Sequence, residues 1–381
     1  MTPVVYSICG DPGGAAAVAP VLSHLSTDVA VRVHSFGYRQ AITQLPARQV
    51  AVTPVSEALD VAACTGMLAD SSANLLLTGT SMNGVDLEKK FIAAARELGL
   101  PSIAVLDFWS NYRSRFSESA GELDCLPDRI AIMDEQARSE MVADGFPADR
   151  LVITGQPAFD RLAAFRESTT DESRRAARRA AGVSDDETLV VFVSQPIAEI
   201  CALRPELTEL LGFDECTVLA ELVAALERLS VSHGGSIHLL IRPHPRETTG
   251  KFGNFRGAGV KVTVSTDGEL PALMDSADLV VGMNSVALVE ACYLGVPALS
   301  YQPGLRQPDS LPTNRAGLSR AVFAADELPA ALAELLFDEA HRAAHCARLQ
   351  SFRPDGGAAA RVAQAVKDLF AQSSQPTHHA H

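Results

Sequence analysis

Residues 277–303 read ADLVVGMNSVALVEACYLGVPALSYQP, a pattern of strand, turn, helix, turn and strand. Residues 279–281 are a short apolar run with β-branched valines, suited to a parallel strand covered on both faces. Gly282, Met283, Asn284 and Ser285 make the turn. Residues 286–294 have helical spacing, with Gly295 placed as a C-cap and Pro297 just beyond it. Residues 298–301 begin the next strand. A helix N-terminus therefore stands at the C-terminal end of a parallel strand, where free N–H groups and the positive end of the helix dipole suit a phosphate. Ser285 can cap that helix and offer its hydroxyl to the same anion. Glu290 follows five residues later and could accept hydrogen bonds from two ribose hydroxyls. The same residues also fit an ordinary βα unit, in which Ser285 only caps and Glu290 is solvated.

Around this unit the chain repeats the same alternation. Residues 3–9 (PVVYSIC) are a strand that feeds Gly10-Asp11-Pro12-Gly13-Gly14 and an Ala-rich helix. Gly13 and Gly14 permit close backbone approach to a ligand, although the loop is neither GxGxxG nor a P-loop. Further strands are expected at 30–34, 50–53, 74–77, 102–106, 129–133 and 151–154, with helices between them. The strand at 102–106 delivers Asp107 and the segment Phe108-Trp109-Ser110-Asn111-Tyr112-Arg113. That segment reads either as a binding surface at a strand end or as an aromatic plug. A charge-dense stretch at 167–187 is the expected interdomain connection, a solvated helix. A second series follows, with strands at 188–193, 236–241, 260–264 and 279 onward. Their ends carry Ser194-Gln195, Arg242-Pro243-His244-Pro245-Arg246, Ser265-Thr266 and Asn284-Ser285. Alternating βα units predict an α/β fold of two Rossmann-like domains, 1–165 and 186–353. An amphipathic helix at 354–372 is expected to cross back to the first domain.

The 381 residues suffice for two ordinary domains, and 47% are hydrophobic, enough for large cores. The formal net charge is −14, which argues against nucleic-acid binding driven by phosphate neutralisation. Seven scattered cysteines, an odd number without a CxxC pair, read as reduced thiols of a cytoplasmic protein. No leader-like segment is visible at the N-terminus, and no apolar run approaches the roughly 20 residues that span a bilayer. The His-rich end, residues 376–381, reads as a disordered tail. No metal site is expected.

RPHPR is the sharpest local signal. Its prolines stiffen a loop that presents Arg242, His244 and Arg246 at a strand's C-terminal end. Arginine offers a bidentate fork to phosphate, and histidine a switchable donor. With Ser194, Gln195, Asn284, Ser285 and Glu290, these residues suit a nucleoside mono- or diphosphate at the strand ends of a doubly wound sheet.

The two-sheet layout, RPHPRE at 242–247 and GMNSVALVEACYLGVPALSY at 282–301 resemble the GT-B glycosyltransferases. LVITGQPAFD at 151–160 is similar to the TGxPxxD segment of non-hydrolysing UDP-GlcNAc 2-epimerases, which share that fold. His244-Pro245 with the later Ser-containing turn also resembles the HP and SS motifs of bacterial capsule and sialic-acid or Kdo transferases, which use CMP-sugars. The resemblance implies two domains facing across a cleft. It also implies a UDP- or CMP-linked sugar as donor, no cofactor beyond it, no metal, and a role in polysaccharide or glycoconjugate biosynthesis. A homodimer is possible. The acids of the epimerase pattern are missing: Thr78-Gly79-Thr80 stands for its GDT, and Asp107-Phe108-Trp109-Ser110-Asn111 for its EAGLR-like segment. Epimerisation by elimination needs such groups, so a metal-independent glycosyltransferase is the first expectation. A nucleotide-sugar 2-epimerase or hydrolase is the second, and a non-catalytic nucleotide- or sugar-binding protein the third. In the first, Arg242 and His244 neutralise the leaving phosphate, Glu290 orients the ribose, and Asp107, then Asp11, is the base for an unidentified acceptor.

Overall fold

In the computed structural model, residues 2–28, 30–118, 122–352 and 354–373 are described. The expected tail at 376–381 lies outside them. Every strand among the described residues pairs in parallel, as short β-branched runs between helices require. The first sheet holds β1 (Val4–Cys9), β2 (Arg32–Gly37), β3 (Thr53–Pro54), β4 (Leu75–Thr78), β5 (Ser102–Val105), β6 (Arg129–Ile132) and β7 (Leu151–Ile153). Their order is β3-β2-β1-β4-β5-β6-β7. The second holds β8 (Thr188–Val193), β9 (Ile237–Arg242), β10 (Val260–Val264), β11 (Leu279–Gly282), β12 (Ala298–Tyr301) and β13 (Arg320–Val322), in the order β10-β9-β8-β11-β12-β13. In each sheet the winding reverses once, between β1 and β4 and between β8 and β11. Those reversals leave a crevice at the strands' C-terminal ends, the place where doubly wound sheets take ligands.

Contacts divide the chain into two units. Met1–Arg161 joins the segment from Asp355 onward, and Leu162–Pro354 forms the other. In the first unit the terminal helix Ala358–Ser373 packs on the helix Pro12–Ser26, and Val362, Ala363 and Val366 enter its core. The motif Thr154-Gly155-Gln156-Pro157-Ala158-Phe159-Asp160 is the dock for that helix. Asp160 accepts from Ala358 N and Ala359 N at 3.1 and 2.8 Å, capping it, and Arg361 Nε donates to Thr154 O at 2.7 Å.

The charge-dense stretch is part of the second unit. Its helix Asp171–Ala180 exposes most side chains, yet Arg174 pairs with Asp275 at 2.8 Å and Arg178 with Asp278 at 3.3 Å. Two short helices, Ile197–Leu203 and Glu206–Leu211, and strand β13 were not expected from the sequence. They are too short for hydrophobic periodicity to register.

Candidate functional site

At the β1/β4 reversal, Asp107, Asp11, Gly13 and Gly14 come together. Asp107 follows β5, and its Oδ1 accepts from Thr80 Oγ1 at 2.7 Å and from Arg115 Nη1 at 2.5 Å. Arg115 also donates to Thr80 Oγ1 at 2.9 Å and Ser110 O at 3.1 Å. The ion pair is largely buried, with side chains 9% and 14% exposed. The other oxygen, Oδ2, lies against Gly13, where an added Cβ would be 2.0 Å away. A carboxylate thus faces the start of the helix Pro12–Ser26, as the helix dipole favours. Gly14 packs on the Gly79–Thr80 backbone. The close approach these two glycines permit is that of the protein's own chain.

Asp11 ties the same loop to the one after β4. Its Oδ1 accepts from Asn83 Nδ2 at 2.7 Å and its Oδ2 from Met82 N at 3.2 Å. Behind them lies Glu88, 2% exposed, which accepts from Gly10 N at 2.9 Å, Tyr38 Oη at 2.6 Å and Ser81 Oγ at 2.7 Å. Burial pushes its pKa up, against the effect of the hydroxyl bonds. Glu88 was not singled out from the sequence. A helical wheel would have found it, because it shares the buried face of the helix Leu87–Leu98 with Phe91, Ile92 and Ala95.

The aromatic segment is a plug. Trp109 is 1% exposed, donates from Nε1 to Asp134 Oδ2 at 2.7 Å and stacks on Phe159. Tyr112 is buried and donates to Glu140 at 2.6 Å. An indole and a phenol that find polar partners inside gain more from burial than from standing in water, so Trp109 and Tyr112 offer no ring to a ligand, while Phe108 is half-buried.

At the β8/β11 reversal, the second group gathers on the adjacent ends of β9, β8 and β11. Gln195 Oε1 accepts from Asn284 N at 3.1 Å and joins the two turns. Ser285 is the N-cap of the helix Val286–Leu294, and its Oγ accepts from Ala287 N at 3.2 Å. The N–H groups of Ser285 and Val286 make no hydrogen bond among the described residues. Glu290 is 8% exposed in a helix buried from Ala287 to Leu294, which excludes the solvated alternative.

RPHPRE is pinned from within. Glu247 Oε2 accepts from His244 N at 2.7 Å, and its Oε1 accepts from Ser194 Oγ at 3.1 Å. His244 Nδ1 accepts from Arg246 N at 3.1 Å, so the neutral ring carries its proton on Nε2 as a donor. Burial, then Arg246, lowers the His244 pKa and favours that neutral form. The Arg246 side chain is exposed and makes no hydrogen bond among the described residues. Arg242 is engaged elsewhere. Its Nη1 and Nη2 donate to Asp267 O and Gly268 O at 2.6 and 2.9 Å, holding the loop after β10.

Beneath this loop, Lys251 Nζ lies 2.5 Å from Glu215 Oε1, 2.7 Å from Glu247 Oε1 and 2.9 Å from Glu199 Oε1. Glu215 also accepts from Ile197 N and Ala198 N, at 2.9 and 3.0 Å. Burial opposes the Lys251 charge, but the bonds to Glu215, Glu247 and Glu199 outweigh it and raise the pKa above the ordinary lysine range. No local pattern signals this cluster, because its members are spread from 199 to 251 and meet only through the fold.

The sequence matches no family profile and no curated protein. Solved structures do match over nearly the whole chain. A UDP-GlcNAc 2-epimerase from Neisseria meningitidis bound to UDP-GlcNAc is 13% identical, with a TM-score of 0.67, over 97% of this chain and 100% of that one. A UDP-GlcNAc 2-epimerase from Methanocaldococcus jannaschii is 14% identical, with a TM-score of 0.65, over 96% and 99%. A glycosyltransferase from Rickettsia africae is 9% identical, with a TM-score of 0.60, over 97% and 98%. Two parallel sheets wound in this order, matched end to end by these structures, give the chain the two-domain α/β GT-B fold that UDP-GlcNAc 2-epimerases share with glycosyltransferases.

Proposed function

We propose that the protein acts on a nucleotide sugar, holds its diphosphate at the ends of β8, β9 and β11, and transfers the glycosyl group to an acceptor. The observation that carries this reading is the convergence of uncommitted donors at the β8/β11 reversal. They are the N–H groups of Ser285 and Val286, the Nε2–H of His244 and the Arg246 guanidinium. Each suits a phosphate oxygen, and none has to give up a bond inside the protein to reach one. Arg242 contributes by fixing the neighbouring loop, since two of its donors are spent on carbonyls.

In the transfer step the bond from C1 to the diphosphate oxygen breaks and its electron pair stays on the phosphate, where these donors receive the charge. The acceptor oxygen bonds C1 and its proton passes to a general base. Asp107 is the first candidate through Oδ2, which takes no hydrogen bond among the described residues, and Asp11 the second.

Epimerisation is the second reading, favoured by neighbours that are themselves UDP-GlcNAc 2-epimerases. Against it stands the triplet Thr78-Gly79-Thr80, which carries no acid where that family's pattern has GDT. Product analysis by NMR separates the two. Transfer predicts that a UDP-sugar stays unchanged until an acceptor is added. Conversion of UDP-GlcNAc alone would replace transfer by epimerisation or hydrolysis. Nucleotide binding without turnover under any condition would leave a binding protein.

A further inference from the structure

We propose that Lys251 is the positioning residue of the phosphate-binding loop, a built-in cation standing where three carboxylates would otherwise hold a divalent metal. This rests on the reading of the second unit as the nucleotide site. One oxygen each of Glu199, Glu215 and Glu247 lies within 4.8 Å of the others, a spacing that one hard cation can bridge. The Lys251 ammonium sits among them, within 2.5 to 2.9 Å of all three. The side chains of Glu215 and Glu247 are 0% exposed, so their charges cannot be left to water. Each carboxylate also grips a piece of the site. Glu247 holds His244 N and the Ser194 hydroxyl, and Glu215 holds the first N–H groups of the helix Ile197–Leu203. The ammonium therefore fixes His244 through Glu247 without touching the ligand itself.

The test uses the full chain, the variant Lys251→Met, and two probes, UDP and Mn2+. Methionine keeps the length of the stem and removes the charge. Calorimetric titration with UDP is expected to show affinity falling on the order of tenfold, the usual cost of losing the partner that orients a ligating group. Mn2+ followed by electron paramagnetic resonance is expected to bind the variant at one site and not the wild type. Added Mn2+ should then restore the variant's UDP affinity. A variant that folds only with Mn2+ present supports the same assignment. UDP affinity unchanged in Lys251→Met overturns the positioning role, and failure of that variant to gain a Mn2+ site overturns the metal-like role. If the variant does not fold under any condition, the wild type decides. Mn2+ alone should leave its melting temperature unmoved, whereas a rise abolished by Glu199→Gln would mean the cluster takes a metal in spite of Lys251. The Mn2+ measurements need no nucleotide, so a wild type that binds no UDP would remove the nucleotide reading while leaving the cation assignment tested.

Discussion

Gly13→Ala places a methyl group 2.0 Å from Asp107 Oδ2. To restore ordinary contact the carboxylate must retreat by about 1.4 Å. A carboxylate at the end of a loose side chain could do so at little cost. This one is held through Oδ1 by Arg115 at 2.5 Å and Thr80 at 2.7 Å, in a pair with little solvent access. Overpacking of this kind costs about 1–3 kcal/mol, and a lost charge-assisted hydrogen bond about 1.5–3 kcal/mol. Replacing glycine by alanine inside a helix returns about 1 kcal/mol. The net expectation is a loss of about 3 kcal/mol. Gly66→Ala is the control. It lies in the helix Val61–Asp70 with nothing within 4 Å of its added Cβ, and it should gain about 0.5–1 kcal/mol. Trp109 is the only tryptophan and is buried in the first unit, so urea unfolding followed by its fluorescence reports that unit alone. In an Asp107→Ala background the obstacle is gone, and Gly13→Ala should reverse sign and stabilise. A Gly13→Ala protein as stable as the Gly66→Ala control, or a sign that does not reverse, refutes the packing of Asp107 against the helix start.

Two titrations follow from buried groups. Glu88 holds its proton more tightly in the folded state than its ordinary 4.5, so the first unit should lose stability as pH rises past about 4.5. Glu88→Gln should flatten that slope in the same fluorescence assay, and a slope left intact assigns it to other groups. His345 behaves oppositely. It is 4% exposed, and burial, then Arg348, lowers its pKa from 6.5 to about 4. The unfolded chain therefore takes up the proton first as the medium is acidified, and stability is lost between pH 6.5 and 4, by about 3 kcal/mol when complete. His345→Leu should remove that part of the acid limb in calorimetric unfolding, and an unchanged limb would contradict the burial argument.

All strands but β13 were legible from the sequence because a parallel strand is a short apolar run, and helices such as Leu87–Leu98 and Val286–Leu294 end on a glycine. Gly295 does take the left-handed cap conformation expected of it, and Gly99 ends the helix Leu87–Leu98 in the same way. Ser285 caps its helix as read, and Asp134 caps the helix Glu135–Ala143. What escaped is the division of labour among polar residues. RPHPRE reads as a run of cations, yet Arg242 is spent on carbonyls and Glu247, its one acid, organises the loop. Whether Trp109 stands outside or inside depends on Asp134 and Phe159, residues far along the chain. Glu199, Glu215, Glu247 and Lys251 acquire meaning only when four segments meet. Local pattern specifies the elements, and tertiary contact specifies which side chains remain uncommitted.

The most direct measurement is a thermal-shift and calorimetric titration of the full chain with UDP, GDP, dTDP, CDP and CMP. A ligand that binds only the folded state must raise the melting temperature. One nucleotide should do so selectively, and His244→Ala, which removes the Nε2–H donor and leaves the loop's pins at Glu247 in place, should weaken its binding. No shift with any of the five, or a shift that His244→Ala leaves intact, would contradict a phosphate site at the ends of β8, β9 and β11.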